Sequence, residues 1–235
     1  MKRLSAALIV VCAAPAAMAG MNEFVVPPAY ENSPGTTSFT GPLAVGGRTY
    51  QLLVHESLLT DLVGLEIDGL SWRLPANATV PWPATDTLYS NYDIYLSGSV
   101  APADRSLTFA DNIVGAQTQV RSGPLSILAG DYPSGSSPND WGAKIGFGSG
   151  YTYSGGHLLV EIRHNGSNTG SRANDAIGTS IAGYGTLFSA AWQSSYTATA
   201  GLQGNFSIFR FTAVPSPSVA GVLGLGLMAG LRRRR

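Results

Sequence analysis

The fold is decided by one stretch of sequence, His157-Leu158-Leu159-Val160-Glu161-Ile162-Arg163-His164. Apolar and charged residues alternate along most of it, and this period of two is typical of a β-strand. We expect Leu158, Val160 and Ile162 to face the core, with Glu161 and Arg163 on the opposite face. No part of the chain between its two ends shows a sustained helical period. Together with the alternation in this stretch, that predicts a fold built from β-sheets.

Short segments with a similar composition recur on both sides of it. They are rich in aromatic and β-branched residues, and clusters of Gly, Pro, Asn, Asp and Ser separate them. The predicted strands are 48–56, 65–74, 91–97, 106–110, 117–121, 125–128, 143–147 and 206–212. Asp68-Gly69 predicts a bend or a bulge in the second of these. Together they predict an all-β fold, an antiparallel β-sandwich that is jelly-roll-like.

The remaining segments are predicted as connections. We expect long loops at 75–88, 130–140 and 165–184, and one helical turn at 56–62. Residues 20–35 are expected to form a loosely ordered lead-in, and the sandwich domain is expected to span 36–213.

The N-terminal segment has the three parts of a secretory signal. Two basic residues are followed by an apolar run, and Ala17 and Ala19 place small residues where signal peptidase cleaves. We therefore expect a signal helix over residues 1–19 that is removed after Ala19. Cys12, the one cysteine of the chain, lies within it. Val11 precedes Cys12 where a lipoprotein signal has a small residue, which argues against lipidation, so the mature chain is expected to contain no thiol.

The charge balance changes when the ends are set aside. The chain has 14 Lys and Arg and 14 Asp and Glu, but six of the cations lie at the ends: Lys2, Arg3, Arg232, Arg233, Arg234 and Arg235. The body keeps eight cations against 14 acids, a net charge of −6. A nucleic-acid partner is therefore not expected, because such proteins need basic surfaces.

The C-terminal segment, 214–235, predicts a membrane anchor. Val214-Pro215-Ser216-Pro217 and Ser218 are followed by 13 residues without a polar side chain, 219–231, and then by four arginines, Arg232, Arg233, Arg234 and Arg235. As a helix the apolar run would cover roughly 20 Å of a hydrocarbon core that is ~30 Å thick. We expect a short transmembrane helix whose arginines remain cytoplasmic. An ordinary anchor and a processed one both fit this pattern.

The tail resembles the PEP-CTERM class of sorting signals in its proline motif, its Gly/Leu-rich segment and its terminal arginine cluster. Ser216 stands where the name-giving motif has glutamate. The resemblance implies a membrane-embedded exosortase-like processing enzyme and a place in the cell envelope, at the cell surface or in extracellular matrix. The stretches 48–52, 92–97 and 158–163 also resemble a β-sandwich module of exported proteins with this tail, which implies architecture and location but no activity.

Two binding sites can be considered from residue types alone. Trp82 and Trp141 lie in predicted loops and are candidates for stacking against an extracellular polysaccharide, with loop packing as the alternative. Asp131, Asn139 and Asp140 offer oxygen ligands of the kind that calcium prefers, although such residues are also ordinary turn formers.

Catalytic groups are few. Glu161 and Asp93 are expected on one face of the sheet and are the best candidates for a glycosidase pair, against the alternative of a cross-strand ion pair or a solvated face. Among the histidines, His157 and His164 are seven residues apart and should point to opposite faces, which argues against a shared metal. His55 and His164 are expected at the surface or at an edge.

These observations predict an exported, non-enzymatic protein of the cell surface or extracellular matrix, sorted by its C-terminal signal. The alternative is a carbohydrate-binding β-sandwich module. A glycan hydrolase is the more distant alternative.

Overall fold

A computed structural model describes residues 22–216. This part of the chain forms fifteen β-strands, and all strand pairings between them are antiparallel. The strands are β1 (Asn22–Val26), β2 (Thr37–Phe39), β3 (Gly46–Val54), β4 (Leu65–Trp72), β5 (Thr87–Tyr89), β6 (Tyr92–Ser99), β7 (Ile113–Arg121), β8 (Leu125–Ile127), β9 (Ile145–Thr152), β10 (Leu158–Gly166), β11 (Asn174–Ile177), β12 (Phe188–Gln193), β13 (Leu202–Gln203), β14 (Phe206–Ser207) and β15 (Phe209–Pro215). The predicted all-β class is confirmed.

The described helices are all single 3₁₀ turns: Pro28–Tyr30, Gly41–Leu43, Glu56–Leu58, Thr60–Leu62, Pro102–Asp104 and Phe109–Asn112. The helical turn predicted at 56–62 is thus present as two consecutive 3₁₀ turns, of which the second buries Leu62. No helix within residues 22–216 is long and apolar enough to cross a membrane. The predicted anchor helix lies outside the described residues, as does the signal helix with its cleavage positions Ala17 and Ala19.

Two larger sheets share one hydrophobic core. The six-stranded sheet has the order β13-β12-β3-β10-β6-β7, and the four-stranded sheet has the order β1-β15-β4-β9. Their inward side chains belong to a single buried cluster. Aromatic contacts connect the two sheets through β14, which belongs to a smaller three-stranded sheet. Phe188 packs on Phe206 of β14 at 5.0 Å between ring centroids, Phe206 on Phe209 at 6.0 Å, and Phe209 on Trp72 at 5.9 Å.

Strand β10 lies at the centre of the six-stranded sheet. Leu158, Val160 and Ile162 are fully buried, as the alternation predicts. Leu159 is also fully buried, however, and Glu161 is only 2% exposed. The face expected to be solvated is therefore covered. A period of two shows which residues share a face, but it does not show whether another segment lies over that face.

The N-terminal lead-in is more ordered than the sequence predicts. Residues Asn22–Val26 form strand β1, an edge strand that pairs with β15 in register from Asn22 opposite Ala213 to Val26 opposite Phe209. The expectation of a loosely ordered lead-in is wrong for this part of the chain. The alternation in this strand is short, so the sequence offers little signal to distinguish it from a linker.

The C-terminal strand also continues further than expected. Strand β15 runs through Pro215, which lies opposite Leu65 of β4, and Ser216 is 3% exposed. Proline is tolerated here because it lies at the end of the strand, where one ladder hydrogen bond fewer costs little. The sandwich domain therefore extends beyond residue 213.

The predicted sorting motif is divided by this strand end. Val214, Pro215 and Ser216 belong to the folded domain. Its other predicted members lie outside the described residues, namely Pro217, Arg232, Arg233, Arg234 and Arg235.

Other differences from the predicted strands have local causes. Strands β11 and β12 were not predicted. The sequence of β12 is Phe-Ser-Ala-Ala-Trp-Gln, and its small residues have low strand propensity. The four residues of β11, Asn-Asp-Ala-Ile, begin with two residues that are rare in strands. Residues 106–110 were expected to be a strand but mostly form a 3₁₀ turn and its lead-in. The bulge at Asp68-Gly69 is confirmed, because the register of β4 shifts between Ile67 and Gly69.

A buried ion pair fixes the segment that follows β1. Arg73 Nε lies 2.9 Å from Asp175 Oδ2, and the two side chains are 1% and 2% exposed. Arg73 Nη2 also donates to the carbonyl oxygens of Tyr30, at 2.9 Å, and Ser33, at 2.6 Å. Asp175 in turn accepts from the backbone N–H of Gly35 at 3.0 Å. Residues 30–35 are therefore held by charge-assisted hydrogen bonds.

We predict that Asp175→Asn lowers the free energy of unfolding by about 3 kcal/mol, because it leaves the buried guanidinium of Arg73 without its counter-charge. Urea unfolding followed by tryptophan fluorescence measures the change. The matched control is Asp68→Asn, which breaks the Lys144–Asp68 pair, 2.8 Å long and with both side chains 29% exposed. The control should cost less than about 1 kcal/mol. Equal losses in the two variants would contradict the assigned role of the buried pair.

Candidate functional site

The outward face of the six-stranded sheet is polar, and we refer to it as the polar face. Its residues come in cross-strand rows set by the register. Gln51 of β3 and Tyr95 of β6 both lie opposite Glu161 of β10. In the next row, Thr49 of β3 and Asp93 of β6 both lie opposite Arg163. The alternation of each strand thus brings two carboxylates and one guanidinium onto the same face.

The carboxylate of Glu161 is the centre of a buried hydrogen-bond network. Its Oε2 accepts from Gln51 Nε2 at 2.6 Å, and its Oε1 is paired with Arg163 Nε. Gln51 is fully buried, and its amide oxygen accepts from Asn112 Nδ2 at 2.8 Å. Both carboxylate oxygens of Glu161 therefore have partners, as a buried charge requires.

The same network fixes a second segment. Arg163 Nη1 donates to the carbonyl oxygens of Tyr196, at 2.9 Å, and Ala198, at 3.2 Å. Thr49 Oγ1 donates to the carbonyl of Ser195 at 2.7 Å. The hydroxyl of Tyr196 donates to Asp93 Oδ2 at 2.6 Å. The polar face thus uses its charges to bind a stretch of backbone that has no strand pattern of its own.

Residues 102–112 and 194–201 together cover the polar face, and we refer to them as the cover. They are joined by backbone hydrogen bonds from Phe109 N to the carbonyl of Thr199, at 2.9 Å, and from Gly201 N to the carbonyl of Leu107, at 2.8 Å. A Cβ atom on Gly201 would lie 2.3 Å from the carbonyl oxygen of Trp192 and 2.7 Å from the ring of Phe109. Only glycine therefore fits where the cover approaches the sheet.

A groove of about 450 Å³ remains open beside the cover, and we refer to it as the polar-face groove. Tyr95 of the sheet and Tyr196 of the cover both line it, with Gln117 of β7 and the Glu161–Arg163 pair. The other lining residues are Thr108, Phe109, Ala110, Ile113, Thr197 and Thr199. Its size lies within the range of ~300–1,000 Å³ that is typical of small-ligand sites.

The two tyrosines are held as neutral phenols. The hydrogen bond to Asp93 is the main reason that the pKa of Tyr196 is raised, to about 12. Burial is the main reason that the pKa of Tyr95 is raised, and the charge of Asp93 adds to it. Neither hydroxyl is thus a base or a nucleophile near neutral pH, and both rings are available as apolar surface with a polar tip.

The carboxylate pair considered from the sequence, Glu161 and Asp93, does lie on one face. Asp93 is 3% exposed and accepts from Tyr196, from Asn91 Nδ2 at 2.8 Å and from Gly123 N at 3.2 Å. Glu161 forms its ion pair within its own strand rather than across strands. A glycosidase needs carboxylates that reach the scissile bond from both sides. These two instead hold the cover.

The two tryptophans that are candidates for sugar binding, Trp82 and Trp141, lie outside the polar-face groove. Trp82 is 9% exposed and packs edge-on against Tyr132, 5.4 Å between ring centroids. Trp141 is half-buried, with Arg73 4.9 Å and Arg210 5.2 Å from its ring centroid. Neither ring lines the polar-face groove, and both fix loops to the body, which was the alternative interpretation of these residues. Burial could not be inferred because the residues that cover them are distant in sequence.

The loop considered for calcium uses its polar side chains locally. Asn139 is 2% exposed, and its amide accepts from Ser136 N at 2.9 Å and donates to the carbonyl of Pro75 at 2.8 Å. Asp131 Oδ2 accepts from Leu128 N at 2.7 Å, while Asp140 is exposed. This is the behaviour of turn formers. Within residues 22–216 there is no group of three or more His, Cys, Asp or Glu residues arranged to hold a metal ion.

The histidines occupy two environments. His55 and His157 are half-buried at the same end of β3 and β10, with ring centroids 4.5 Å apart. His164 is fully buried, stacks on Tyr92 at 5.3 Å and accepts from Gly166 N at 3.1 Å. The expected surface or edge position of His164 is wrong. It continues the inward row of β10, so the period of two already contained the signal.

The groove residues that were not predicted from the sequence include Tyr95, Gln117 and Tyr196. Tyr95 alternates with the inward residues of β6, which could have indicated its face. Tyr196 lies in a stretch of Ser, Thr and Ala without a period, and no local pattern indicates its place.

No known family model, curated protein or solved structure matches the chain. Inferences about its function therefore rest on its own residues: the groove, the network beneath it and the sequence features of the two ends.

We predict that His164 makes the protein less stable in acid. Burial, assisted by the nearby charge of Arg48, lowers the pKa of His164 from 6.5 to about 4. Between these values the unfolded chain binds a proton that the folded protein does not, so stability is lost as pH falls from about 6.5 to about 4, by about 3 kcal/mol at most. Urea unfolding at a series of pH values measures the loss.

The variant His164→Phe keeps an aromatic ring between Tyr92 and Tyr89 but cannot titrate. We expect its stability to fall less steeply than that of the wild type over the same pH window. Identical slopes for His164→Phe and the wild type would contradict the prediction.

Proposed function

We propose that the chain is an exported, non-enzymatic protein of the cell surface or extracellular matrix. The signal-like N-terminus, with small residues at Ala17 and Ala19, supports export. The apolar segment that ends in four arginines supports membrane retention before processing, with the arginines on the cytoplasmic side. Signal peptidase and an exosortase-like enzyme are the proposed processing partners.

One observation favours a non-enzymatic role over a glycan hydrolase. Glu161 and Asp93 carry the acidic groups best placed for glycan hydrolysis, and both are buried and hydrogen-bonded to the residues that hold the cover. A general acid or nucleophile must contact the reacting atoms. Both carboxylates are already engaged by the groups that hold the cover, Glu161 by Gln51 and Arg163 and Asp93 by Tyr196, which makes a hydrolase the least supported of the three functions.

The end of strand β15 limits where the tail can be processed. Val214 and Pro215 pair with β4, and Ser216 is buried, so these three residues are part of the folded domain. An enzyme within the membrane can most easily reach the residues that follow β15 and Ser216. We therefore propose that cleavage occurs C-terminal to Ser216 and leaves the sandwich intact.

The arrangement of the two larger sheets supports a jelly-roll-like sandwich as the finer description of the fold. The chain passes from β3 in the six-stranded sheet to β4 in the four-stranded sheet, and later from β9 back to β10. Such crossings between sheets are typical of Greek-key and jelly-roll connections.

We predict that the mature protein, isolated from its own cell envelope, has an intact mass that begins at Gly20 and lacks Arg232, Arg233, Arg234 and Arg235. A variant with all four arginines changed to glutamine should keep its tail, because the cytoplasmic charges that position it are gone. Intact-mass spectrometry of both proteins measures this. A wild-type mass that still includes the arginines would contradict processing and leave an ordinary anchor.

A further inference from the structure

We propose that the polar-face groove binds a neutral oligosaccharide, with the rings of Tyr95 and Tyr196 as stacking surfaces and the amide of Gln117 as a hydrogen-bonding group. This goes beyond the proposed function, which concerns export and location and assigns no ligand. It also moves sugar binding away from Trp82 and Trp141.

The rings come from two different elements and line the same groove. Tyr95 lies in β6 of the sheet and Tyr196 lies in the cover, so a ligand in the groove contacts both. Each ring is half-buried rather than enclosed. Aromatic rings that present one surface to water and keep a polar tip suit a sugar, which has apolar C–H faces and hydroxyl edges.

The two rings are fixed before a ligand arrives. Tyr95 Oη accepts from Gln119 Nε2 at 3.1 Å, and the Tyr196 hydroxyl donates to Asp93 at 2.6 Å. The backbone of Tyr196 is held in addition by Arg163. Because the side chains are already ordered, binding loses less conformational entropy than it would at a mobile surface.

Gln117 supplies free hydrogen-bonding capacity beside these rings. Its Nε2 lies 3.5 Å from Glu161 Oε2, a long contact, and its amide oxygen has no hydrogen-bond partner within residues 22–216. A planar amide offers a donor and an acceptor side by side. The hydroxyls of Thr108, Thr197 and Thr199 extend the same polar lining.

Charge favours a neutral ligand over an anionic one. The two charged groups that line the groove, Glu161 and Arg163, are paired with each other. Exposed carboxylates of Asp104 and Asp111 lie on the cover. Seven of the eight Lys and Arg residues in the described chain are buried or half-buried, and the eighth, Lys144, is paired with an aspartate. An acidic polysaccharide would therefore meet a surface of its own sign.

Affinity electrophoresis of the full-length chain in mild detergent tests the proposal. The gels contain a neutral β-glucan, a neutral α-glucan, a galactomannan or, as the acidic comparison, alginate. We expect at least one neutral polysaccharide to retard the wild type and alginate not to. Tyr95→Ala and Gln117→Ala should each weaken the retarding interaction by about tenfold.

Matched variants separate lost contacts from damaged folding. Tyr95→Phe keeps the ring and should bind within about threefold of the wild type, since stacking needs no hydroxyl. Tyr151→Ala, in β9 of the other sheet, and Gln193→Ala, in β12 and outside the groove, should bind like the wild type. Circular dichroism and a thermal unfolding scan of every variant confirm that the sheets are retained.

Several results would overturn the proposal: no retardation by any neutral polysaccharide, retardation by alginate alone, or binding by Tyr95→Ala equal to that of the wild type. The assay uses purified protein and does not depend on sorting. A correct mature mass without sugar binding would therefore reject this inference alone, and sugar binding by a chain that keeps its arginines would reject tail processing alone.

Discussion

A buried carboxylate at the centre of the six-stranded sheet determines how the cover lies over the polar face of that sheet. Glu161 is 2% exposed, and a charge so far from water is tolerated only with close, well-oriented partners. Gln51 and Arg163 provide them, and each is in turn committed to the cover through Phe109, Tyr196 or Ala198. The groove exists where it does because this network decides where the cover lies.

The strand residues that face the core could be predicted from the sequence. The segments that cover the outward face of the six-stranded sheet could not. The alternation of β10 and β6 identifies the inward rows correctly, and Asp68-Gly69 identifies the bulge in β4. These features are local, since a strand carries its own period. The cover depends on contacts between distant parts of the chain. Residues 194–201 form hydrogen bonds with residues 102–112 and with β10, which lie about thirty to ninety positions away in the sequence. The composition of these loop segments does not indicate that they pair.

The candidate site shows the same division. Strand geometry correctly predicted that Glu161 and Asp93 share a face. Their role could not be predicted, because the burial of these carboxylates and their hydrogen-bond partners depend on residues that are distant in sequence. The packing of the two tryptophans, Trp82 and Trp141, could not be predicted for a related reason. Their place in loops was inferred correctly, whereas the Tyr132, Arg73 and Arg210 side chains that pack on them come from other parts of the chain.

Hydrogen exchange of the backbone amides tests most directly whether the Glu161 network holds the cover. In the wild type we predict clear protection at Phe109 and Gly201, whose N–H groups join the two halves of the cover. In Glu161→Gln, which removes the charge but keeps the shape, these amides should lose at least about tenfold more protection than the amides of β10. Unprotected cover amides in the wild type, or equal losses in the cover and in β10, would contradict this role of Glu161.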